Sequence, residues 1–329
     1  MPHSEGWIDG GGAISYSCII WAGNRSMTVN PGADSALTLQ AVSAWTSDLF
    51  RLTKPKLLSL VLFTTLIGFY TANRGPTPIL LLLHALIGTA LIAGGSTALN
   101  MYRERNLDAL MKRTALRPLA AGRLPSGPAL IFALALSAGG LAYLFVRVNP
   151  LTGLLAALVF TCYLFLYTPL KTKTWLSTFV GAVPGALPVV MGWAAASGSV
   201  SSGAWILFAV VFLWQLPHFY AIGWLHREDY ANAGLPVLSV IDRDGQKTGR
   251  LAVSFVAVLL VFTLAPFFMG IAGRAYFAGA AILGLMFLGC ALHFALQRNA
   301  RTARRLFIAS ALYLPALFAL LALDKTVTR

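Results

Sequence analysis

The chain has 329 residues, of which 57% are hydrophobic and only 11% are charged, and its mean hydropathy is +0.73. Because soluble globular proteins carry about a quarter charged residues, this composition excludes a water-soluble fold and indicates a protein embedded in lipid. The formal net charge of +14 would suit a nucleic-acid partner. The basic residues, however, lie in short segments between apolar runs. We therefore interpret them as topology signals and contacts with membrane lipid, and we exclude nucleic-acid binding.

The N-terminal stretch 1–46 differs from the rest in being rich in Gly, Ser, Ala and Asn. It lacks both the basic start of a signal peptide and the Arg-rich character of a transit peptide. We predict a disordered tail over 1–46 and one membrane domain over 47–325. The sequence leaves open whether Met1 or Met27 is the true start.

Nine apolar runs follow, each close to the roughly 20 residues that cross a bilayer as a helix. They predict an all-α integral membrane protein whose nine helices surround a central cavity. The predicted spans are 57–73, 78–99, 127–146, 150–170, 175–196, 204–225, 251–271, 275–296 and 305–323.

The distribution of Lys and Arg supports this number of spans. Alternating the loops between the two sides of the membrane places 20 of the 25 basic residues on the side of the N-terminus. Cytoplasmic loops carry the excess of Lys and Arg, so the N-terminus is predicted to be cytoplasmic. The loops after spans two and six are long, charged and on that same side, where we expect the chemistry.

The end of span two carries the first candidate site. Asn100, Glu104, Asp108 and Lys112 are spaced by four residues and would form one stripe on a helix. Two acids at this spacing repel one another unless a cation lies between them. Carboxylate and amide oxygens are ligands that Mg²⁺ accepts, often together with substrate phosphates.

A cluster of basic residues comes directly after this stripe. Arg113, Arg117 and Arg123 are suited to binding phosphate oxygens. Acids followed by bases therefore indicate a site for Mg²⁺ and a diphosphate. The alternative is a plain helix ion pair between Asp108 and Lys112 beside a solvated loop, and this pattern alone does not exclude it.

Span six carries the second candidate site. Ionisable groups at membrane depth are costly and are by default functional candidates. His218 and His226 are eight residues apart, about two helical turns, and could face one cavity. Gln215 and Pro217 lie beside His218, and an acidic pair, Glu228 and Asp229, follows the span.

Span five is rich in small residues and proline, which permit close helix contacts and bend the helix. Such a bent, thin helix could border a slot for a long or flat substrate. Packing alone would also explain these residues, which are Gly181, Pro184, Gly185, Pro188 and Gly192.

Taken together, these motifs resemble the intramembrane prenyltransferases of the UbiA type, and within them the branch that farnesylates heme B to heme O. The resemblance covers about Arg51 to Leu323. It is carried by Asn100, Glu104 and Asp108, by R-T-x-x-R-P-L at Arg113–Leu119, by W-Q-L-P-H-F-Y-A at Trp214–Ala221, and by D-Y-A-N-A-G-L-P-V-L at Asp229–Leu238.

The resemblance implies a UbiA-type helical bundle whose substrates are heme B and farnesyl diphosphate, with Mg²⁺ as cofactor. It implies release of diphosphate and addition of water to the farnesylated vinyl group. The implied location is the bacterial inner membrane with the active-site loops cytoplasmic, and the implied consumer of the product is a heme A synthase.

The resemblance also assigns roles to the candidate residues. The implied metal ligands are Asn100, Glu104, Asp108, Glu228 and Asp229, and of these Asn100, Glu104, Asp108 and Asp229 are also the implied catalytic residues. The implied diphosphate-binding residues are Lys112, Arg113, Arg117, Arg123 and Lys171. The candidates for heme contact or proton handling are His218 and His226.

Two other functions stay open from the sequence. One is UbiA-type prenylation of a small aromatic quinone precursor, which would share the acidic motif but should lack the two longer motifs. The other is a membrane transporter that uses the polar groups of span six. Transporters concentrate charge at the membrane midplane, whereas here the acids cluster at one end of a span.

Overall fold

The computed structural model of the protein describes residues 43–326, which are mostly helical. Within this range we number the helices α1 to α12. They are α1 (43–52), α2 (Pro55–Ala72), α3 (Ile79–Asp108), α4 (Ser126–Arg147), α5 (Pro150–Leu170), α6 (Ser177–Ser197), α7 (Ser202–Leu225), α8 (Arg227–Asn232), α9 (Leu238–Ile241), α10 (Gln246–Phe268), α11 (Arg274–Gln297) and α12 (Ala300–Leu323).

Nine helices of the described range, α2 to α7 and α10 to α12, are long and apolar enough to cross a membrane. This confirms the predicted all-α membrane fold. The predicted tail 1–46 lies outside the described residues, except that 43–46 form the first turn of α1.

The helices extend at least five residues further than the apolar runs in three places. Helix α3 continues nine residues past the predicted end at 99, while α10 starts at Gln246 and α12 at Ala300. Hydropathy marks where a helix leaves the hydrocarbon layer. Backbone hydrogen bonding does not stop there, so charged helical ends escape a search for apolar runs.

The length of α3 places the acidic stripe. Its 30 residues span about 45 Å, whereas the hydrocarbon core of a bilayer is about 30 Å thick. The last turns of α3 therefore reach beyond that core. Asn100, Glu104 and Asp108 lie on these turns and are buried, so they face the protein interior at this end of the bundle, which we call the rim.

Helix α6 is the centre of the bundle. Within its most apolar 18 residues, 67% are buried inside the protein, the highest share of the nine spans. It packs closely against α2 at two glycines. A β-carbon added to Gly68 would come within 1.9 Å of the Val189 carbonyl oxygen, and one added to Gly192 within 1.9 Å of the Thr65 carbonyl oxygen. These backbones approach closely because glycine has no side chain there.

The two polar loops that follow α3 and α7 meet at the same rim. Met111 of the first loop is 2% exposed and packs with Ala233 and Leu235 of the second. This contact closes the bundle above the end of α3 and brings both loops to the candidate site.

Candidate active site

A cavity of about 340 Å³ opens between α2, α3, α5, α6 and α7. Asn100, Glu104 and Asp108 all line it, so three of the four residues of the predicted stripe share one face of α3, which ends before Lys112. Apolar side chains and the small residues of α6 line the rest of the cavity. Of the span-five residues, Gly181, Pro184, Gly185 and Pro188 belong to this lining.

The two carboxylates are each held by a cation. The Lys171 ammonium donates to the Glu104 carboxylate oxygens at 3.1 and 3.2 Å. The Arg117 guanidinium donates through one nitrogen to both Asp108 oxygens, at 2.7 and 2.8 Å. Both carboxylates are buried, with Glu104 7% and Asp108 1% exposed. Each of these buried carboxylates therefore has a cation as its partner.

Asn100 is held in a network of its own. Its amide oxygen accepts hydrogen bonds from the Lys54 ammonium at 3.1 Å and from the Tyr163 hydroxyl at 3.2 Å. Its amide nitrogen donates to the Thr168 hydroxyl at 3.3 Å. These contacts fix the amide with its oxygen toward the cationic side of the site.

A compact turn after α3 brings Arg117 back to Asp108. The Thr114 hydroxyl donates to the Asp108 carbonyl oxygen at 2.8 Å, and the Arg117 backbone N–H donates to the Thr114 carbonyl oxygen. Thr114 itself is 1% exposed. The R-T-x-x-R spacing therefore folds into a turn that places the second arginine over the last acid of the stripe.

A π-helical segment within α5, Cys162–Tyr167, forms the facing wall. The Tyr163 and Tyr167 rings both line the cavity and stack with centroids 5.6 Å apart. The Arg103 side chain of α3 donates to the Leu164 carbonyl oxygen of this segment at 2.5 Å. Single π-helical turns are common at functional sites, where the wider turn redirects side chains.

The cations at the rim have altered proton affinities. Burial lowers the pKa of Lys54 to about 7, with a further lowering by Arg117 that Glu104 partly opposes. Burial also acts to lower the pKa of Lys171, but Tyr167 and Glu104 outweigh it, and the pKa lies above its usual value. Lys171 therefore stays a cation at neutral pH.

The donor set fits a magnesium–diphosphate ligand. The Lys, Arg, Asp and Glu residues of the cavity lining are four basic and two acidic residues, namely Lys54, Arg113, Arg117, Lys171, Glu104 and Asp108. Mg²⁺ binds proteins through one or two carboxylates and completes its shell with water and substrate phosphates. Glu104 and Asp108 supply two carboxylates to the cavity, which matches such a shared shell.

Two predicted diphosphate residues lie away from the cavity. Lys112 is exposed and is not part of the lining. Arg123 instead pairs with Asp48 of α1, its Nε lying 2.8 Å from the carboxylate. The hydrogen bond from Arg123 lowers the pKa of Asp48. Arg123 thus fastens α1 to the loop after α3.

The predicted second acidic pair also faces elsewhere. Glu228, Asp229 and His226 line a separate surface depression together with Arg298, while Tyr230 turns into the main cavity. Successive helical residues are about 100° apart, so α8 cannot direct Tyr230 and both acids to the same side. Burial and the nearby charge of Arg113 lower the pKa of His226.

His218 does not line the cavity either. Its Nδ1 lies 2.8 Å from the Ser310 hydroxyl oxygen, and its ring stacks between Trp214 and Phe307 at 5.2 and 5.1 Å. It joins α7 to α12. The expectation that His218 and His226 face one cavity is therefore wrong, because His218 points toward α12 and His226 follows the end of α7.

Several cavity residues were not predicted as site residues. The sequence pattern marks Lys54 only as a topology signal, although Lys54 directly precedes Pro55 at the start of a span. Tyr163 and Tyr167 lie in a membrane span, where aromatic residues are common, and Tyr230 lies in the D-Y-A-N-A-G-L-P-V-L motif, but none of the three has a predicted role in the site. Gln215, three residues before His218, lines the cavity, whereas His218 does not.

Comparison with known proteins decides the family. The model of the UbiA prenyltransferase family matches residues 61–319, which is most of the chain and includes Glu104, Asp108 and the arginines of the cavity lining. The chain belongs to the UbiA prenyltransferase family. It is therefore an integral membrane protein, and the transporter alternative is excluded.

Curated relatives cover the UbiA domain almost end to end. The chain is 46% identical over 287 residues to a protoheme IX farnesyltransferase of Solibacter usitatus, covering 84% of this chain and 98% of the relative. It is 41% identical over 302 residues to a protoheme IX farnesyltransferase of Koribacter versatilis, covering 89% and 97%. The predicted resemblance to the heme-farnesylating branch is confirmed.

Solved structures show the same fold. A digeranylgeranylglyceryl phosphate synthase superposes with a TM-score of 0.73 at 17% identity, covering 85% of this chain and 98% of the other. A UbiA homolog from Archaeoglobus fulgidus, bound to GPP and Mg²⁺, superposes with a TM-score of 0.61 at 17% identity, covering 83% and 99%. The predicted UbiA-type bundle is confirmed.

Proposed function

We propose that this UbiA prenyltransferase transfers the farnesyl group of farnesyl diphosphate to a vinyl group of heme B. Addition of water completes the reaction and gives heme O and diphosphate. The observation that carries the proposal is the cavity with paired carboxylates and cations at its rim and apolar walls below. The relatives named protoheme IX farnesyltransferase support the choice of acceptor.

Substrate binding exchanges the ion pairs of the resting site. As the diphosphate enters, Lys171 and Arg117 transfer their hydrogen bonds from Glu104 and Asp108 to phosphate oxygens, and Arg113 adds a third cation at the rim. The freed carboxylates, with the Asn100 amide oxygen, then face the ligand. The resting ion pairs are buried and desolvated, so this exchange keeps every charge partnered throughout binding.

Glu104, Asp108 and Asn100 would hold Mg²⁺ against the diphosphate, where the ion supplies charge neutralisation for the leaving group. The same role falls on Arg113, Arg117 and Lys171, which line the same end of the cavity and hold their positive charges where the leaving group becomes negative. Fixed cations at the rim stabilise negative charge as the bond from C1 of the farnesyl group to oxygen breaks.

The walls below the rim protect the allylic cation that remains. Apolar side chains of α2, α3 and α6 line this region and keep bulk water from the electrophile. The stacked rings of Tyr163 and Tyr167 offer a π surface to positive charge. The heme vinyl group attacks farnesyl C1, and water then adds to the carbon left positive.

The remaining predicted roles stay proposals. A second metal site at Glu228 and Asp229 would require α8 to rotate toward the cavity. Heme contact by His226 would have to occur at the surface depression. Heme contact by His218 would require its ring to break the hydrogen bond with Ser310. His218→Ala tests its role directly. We expect heme binding followed by absorbance to be unchanged while the melting temperature falls, and lost heme binding would restore the predicted role.

We propose that the protein lies in the bacterial inner membrane with its N-terminus and the rim of the site in the cytoplasm. The excess of Lys and Arg on that side supports this orientation. A heme A synthase would be the downstream consumer of the product. Cysteine labelling of single-cysteine variants in the α4–α5 turn and the loop after α3 would test the orientation.

Purified protein in detergent, supplied with farnesyl diphosphate and Mg²⁺, tests the function. With heme B we expect a farnesylated, hydrated heme by mass spectrometry. With 4-hydroxybenzoate we expect no product. The reverse result would assign the protein to small-aromatic prenylation. Membranes with and without the protein, extracted for hemes, give the same comparison in cells.

A further inference from the structure

Gln215 is a buried polar residue in the wall of the cavity, on α7, and is only 6% exposed. Its amide nitrogen donates to two backbone carbonyl oxygens, that of Val211 at 3.1 Å and that of Ala182 at 3.3 Å. Both acceptors are carbonyls, so the nitrogen end of the amide must face them. The oxygen end is thereby fixed on the other side.

The amide oxygen lies against Gly185, another residue of the cavity wall. A β-carbon added at position 185 would come within 2.1 Å of the Gln215 Oε1 atom. Glycine therefore leaves the room that this oxygen occupies. Both hydrogen bonds of the Gln215 side chain within residues 43–326 run through its amide nitrogen, and Oε1 is not one of the fully buried polar atoms that lack a partner. The oxygen therefore borders the open space of the cavity, where a ligand or a water molecule can donate to it.

We propose that Gln215 is a positioning residue that holds the water molecule added in the last step of heme farnesylation. This inference rests on the proposed function. The farnesyl C1 atom bonds to the terminal vinyl carbon, which leaves the inner vinyl carbon positive. A water oxygen then bonds to that inner carbon and gives a hydroxyl group, and the proton released passes to the diphosphate in the same cavity.

The chemistry needs such a residue because the same cation has a competing outcome. It can lose a proton from the neighbouring carbon and form an alkene, with no water added. The walls that exclude bulk water favour this loss. One water molecule held by a fixed acceptor would direct the reaction to the hydroxylated product, because a water already bound beside the cation reacts without first having to diffuse to it.

The test is the product ratio in purified protein. Gln215→Met keeps the size of the side chain but removes the acceptor and both donors. We expect the ratio of hydroxylated to dehydrated farnesyl heme, separated by mass spectrometry, to fall by a factor of about 2 to 10, as for loss of one hydrogen bond. Gln215→Glu keeps an oxygen acceptor and should retain more of the hydroxylated product than Gln215→Met.

A second variant tests the same oxygen without changing Gln215. Gly185→Ala places a methyl group where Oε1 lies and should shift the ratio in the same direction. Gly289→Ala is the matched control, since a β-carbon at 289 meets nothing within 4 Å, and it should leave the ratio unchanged. Reactions in ¹⁸O-labelled water confirm that the product hydroxyl comes from solvent.

The outcomes separate the two proposals. Wild-type protein that makes no farnesylated heme would overturn the proposed function. Wild-type protein that makes the hydroxylated product, with Gln215→Met and Gly185→Ala slower but unchanged in ratio, would overturn the role of Gln215 alone. A merely structural role would lower the rate or the stability without moving the ratio.

Discussion

Replacing Asp108 by Asn removes one negative charge from the rim while keeping the shape of the side chain. Asp108 is buried and accepts hydrogen bonds from Arg117 at 2.7 and 2.8 Å. Asn can still accept one of them, so about one charge-assisted bond is lost, worth roughly 1.5–3 kcal/mol of stability. A domain with nine spans should remain folded after this loss.

The effect on activity should be larger than the effect on folding. Losing one preorganised electrostatic group at a reacting centre typically costs about 10²–10³ in rate, or roughly 2.7–4 kcal/mol. We therefore expect kcat/KM for farnesyl diphosphate to fall at least that far. Raising the Mg²⁺ concentration should recover part of the loss, because the substitution weakens a metal ligand.

The assay is steady-state heme farnesylation in detergent, with melting temperature measured on the same samples. Asp244→Asn is the matched control, since Asp244 is an exposed carboxylate in the loop before α10, and it should retain full activity. A fall in kcat/KM for Asp108→Asn of less than about tenfold, or 1.4 kcal/mol, would refute the assignment. The carboxylate would then be structural, and its pairing with Arg117 would be its role.

Two further predictions concern stability. Gly192→Ala should destabilise the protein by about 1–3 kcal/mol, since the new methyl group would meet the Thr65 carbonyl oxygen at 1.9 Å. The control is Gly139→Ala, whose methyl group would lie in open space and should leave the melting temperature unchanged. Equal effects of the two substitutions would contradict the close contact of α2 and α6. Arg123→Gln should lower the melting temperature slightly at neutral pH without raising the KM for farnesyl diphosphate. Because Arg123 lowers the pKa of Asp48, the stabilisation that this ion pair gives is complete above the unfolded-state Asp pKa of about 3.9. It is lost as the pH falls through the pKa of Asp48 in the folded protein. A difference in melting temperature from wild type that persists at lower pH, or a raised KM, would show that Arg123 has another role.

The local parts of the site could be predicted because helical spacing alone determines them. Asn100, Glu104 and Asp108 share one face of α3 wherever that helix packs, since residues four apart are neighbours. The turn that returns Arg117 to Asp108 is also local, nine residues along the chain. Lys171 is also a predicted site residue, but the sequence does not predict that it pairs with Glu104.

The parts that could not be predicted depend on contacts between distant segments. Lys54 meets Asn100 across 46 positions, and Arg123 meets Asp48 across 75. His218 meets Ser310 across 92. An apolar helix carries little amphipathic signal to show which face turns inward, so the rotation of α7 that points Gln215 to the cavity and His218 to α12 could not be read from its pattern.

The sequence by itself determined that the chain is a nine-span helical membrane protein with an acidic stripe and an arginine cluster at one end of its second span. Long apolar runs and the four-residue helical repeat are local properties, and they hold in any packing arrangement. Only the tertiary structure decided which cations meet those acids, which polar side chains enter the cavity, and which face away. Those choices follow from how the close contacts of α6 with α2 and α7 fix the rotation of each helix around the cavity.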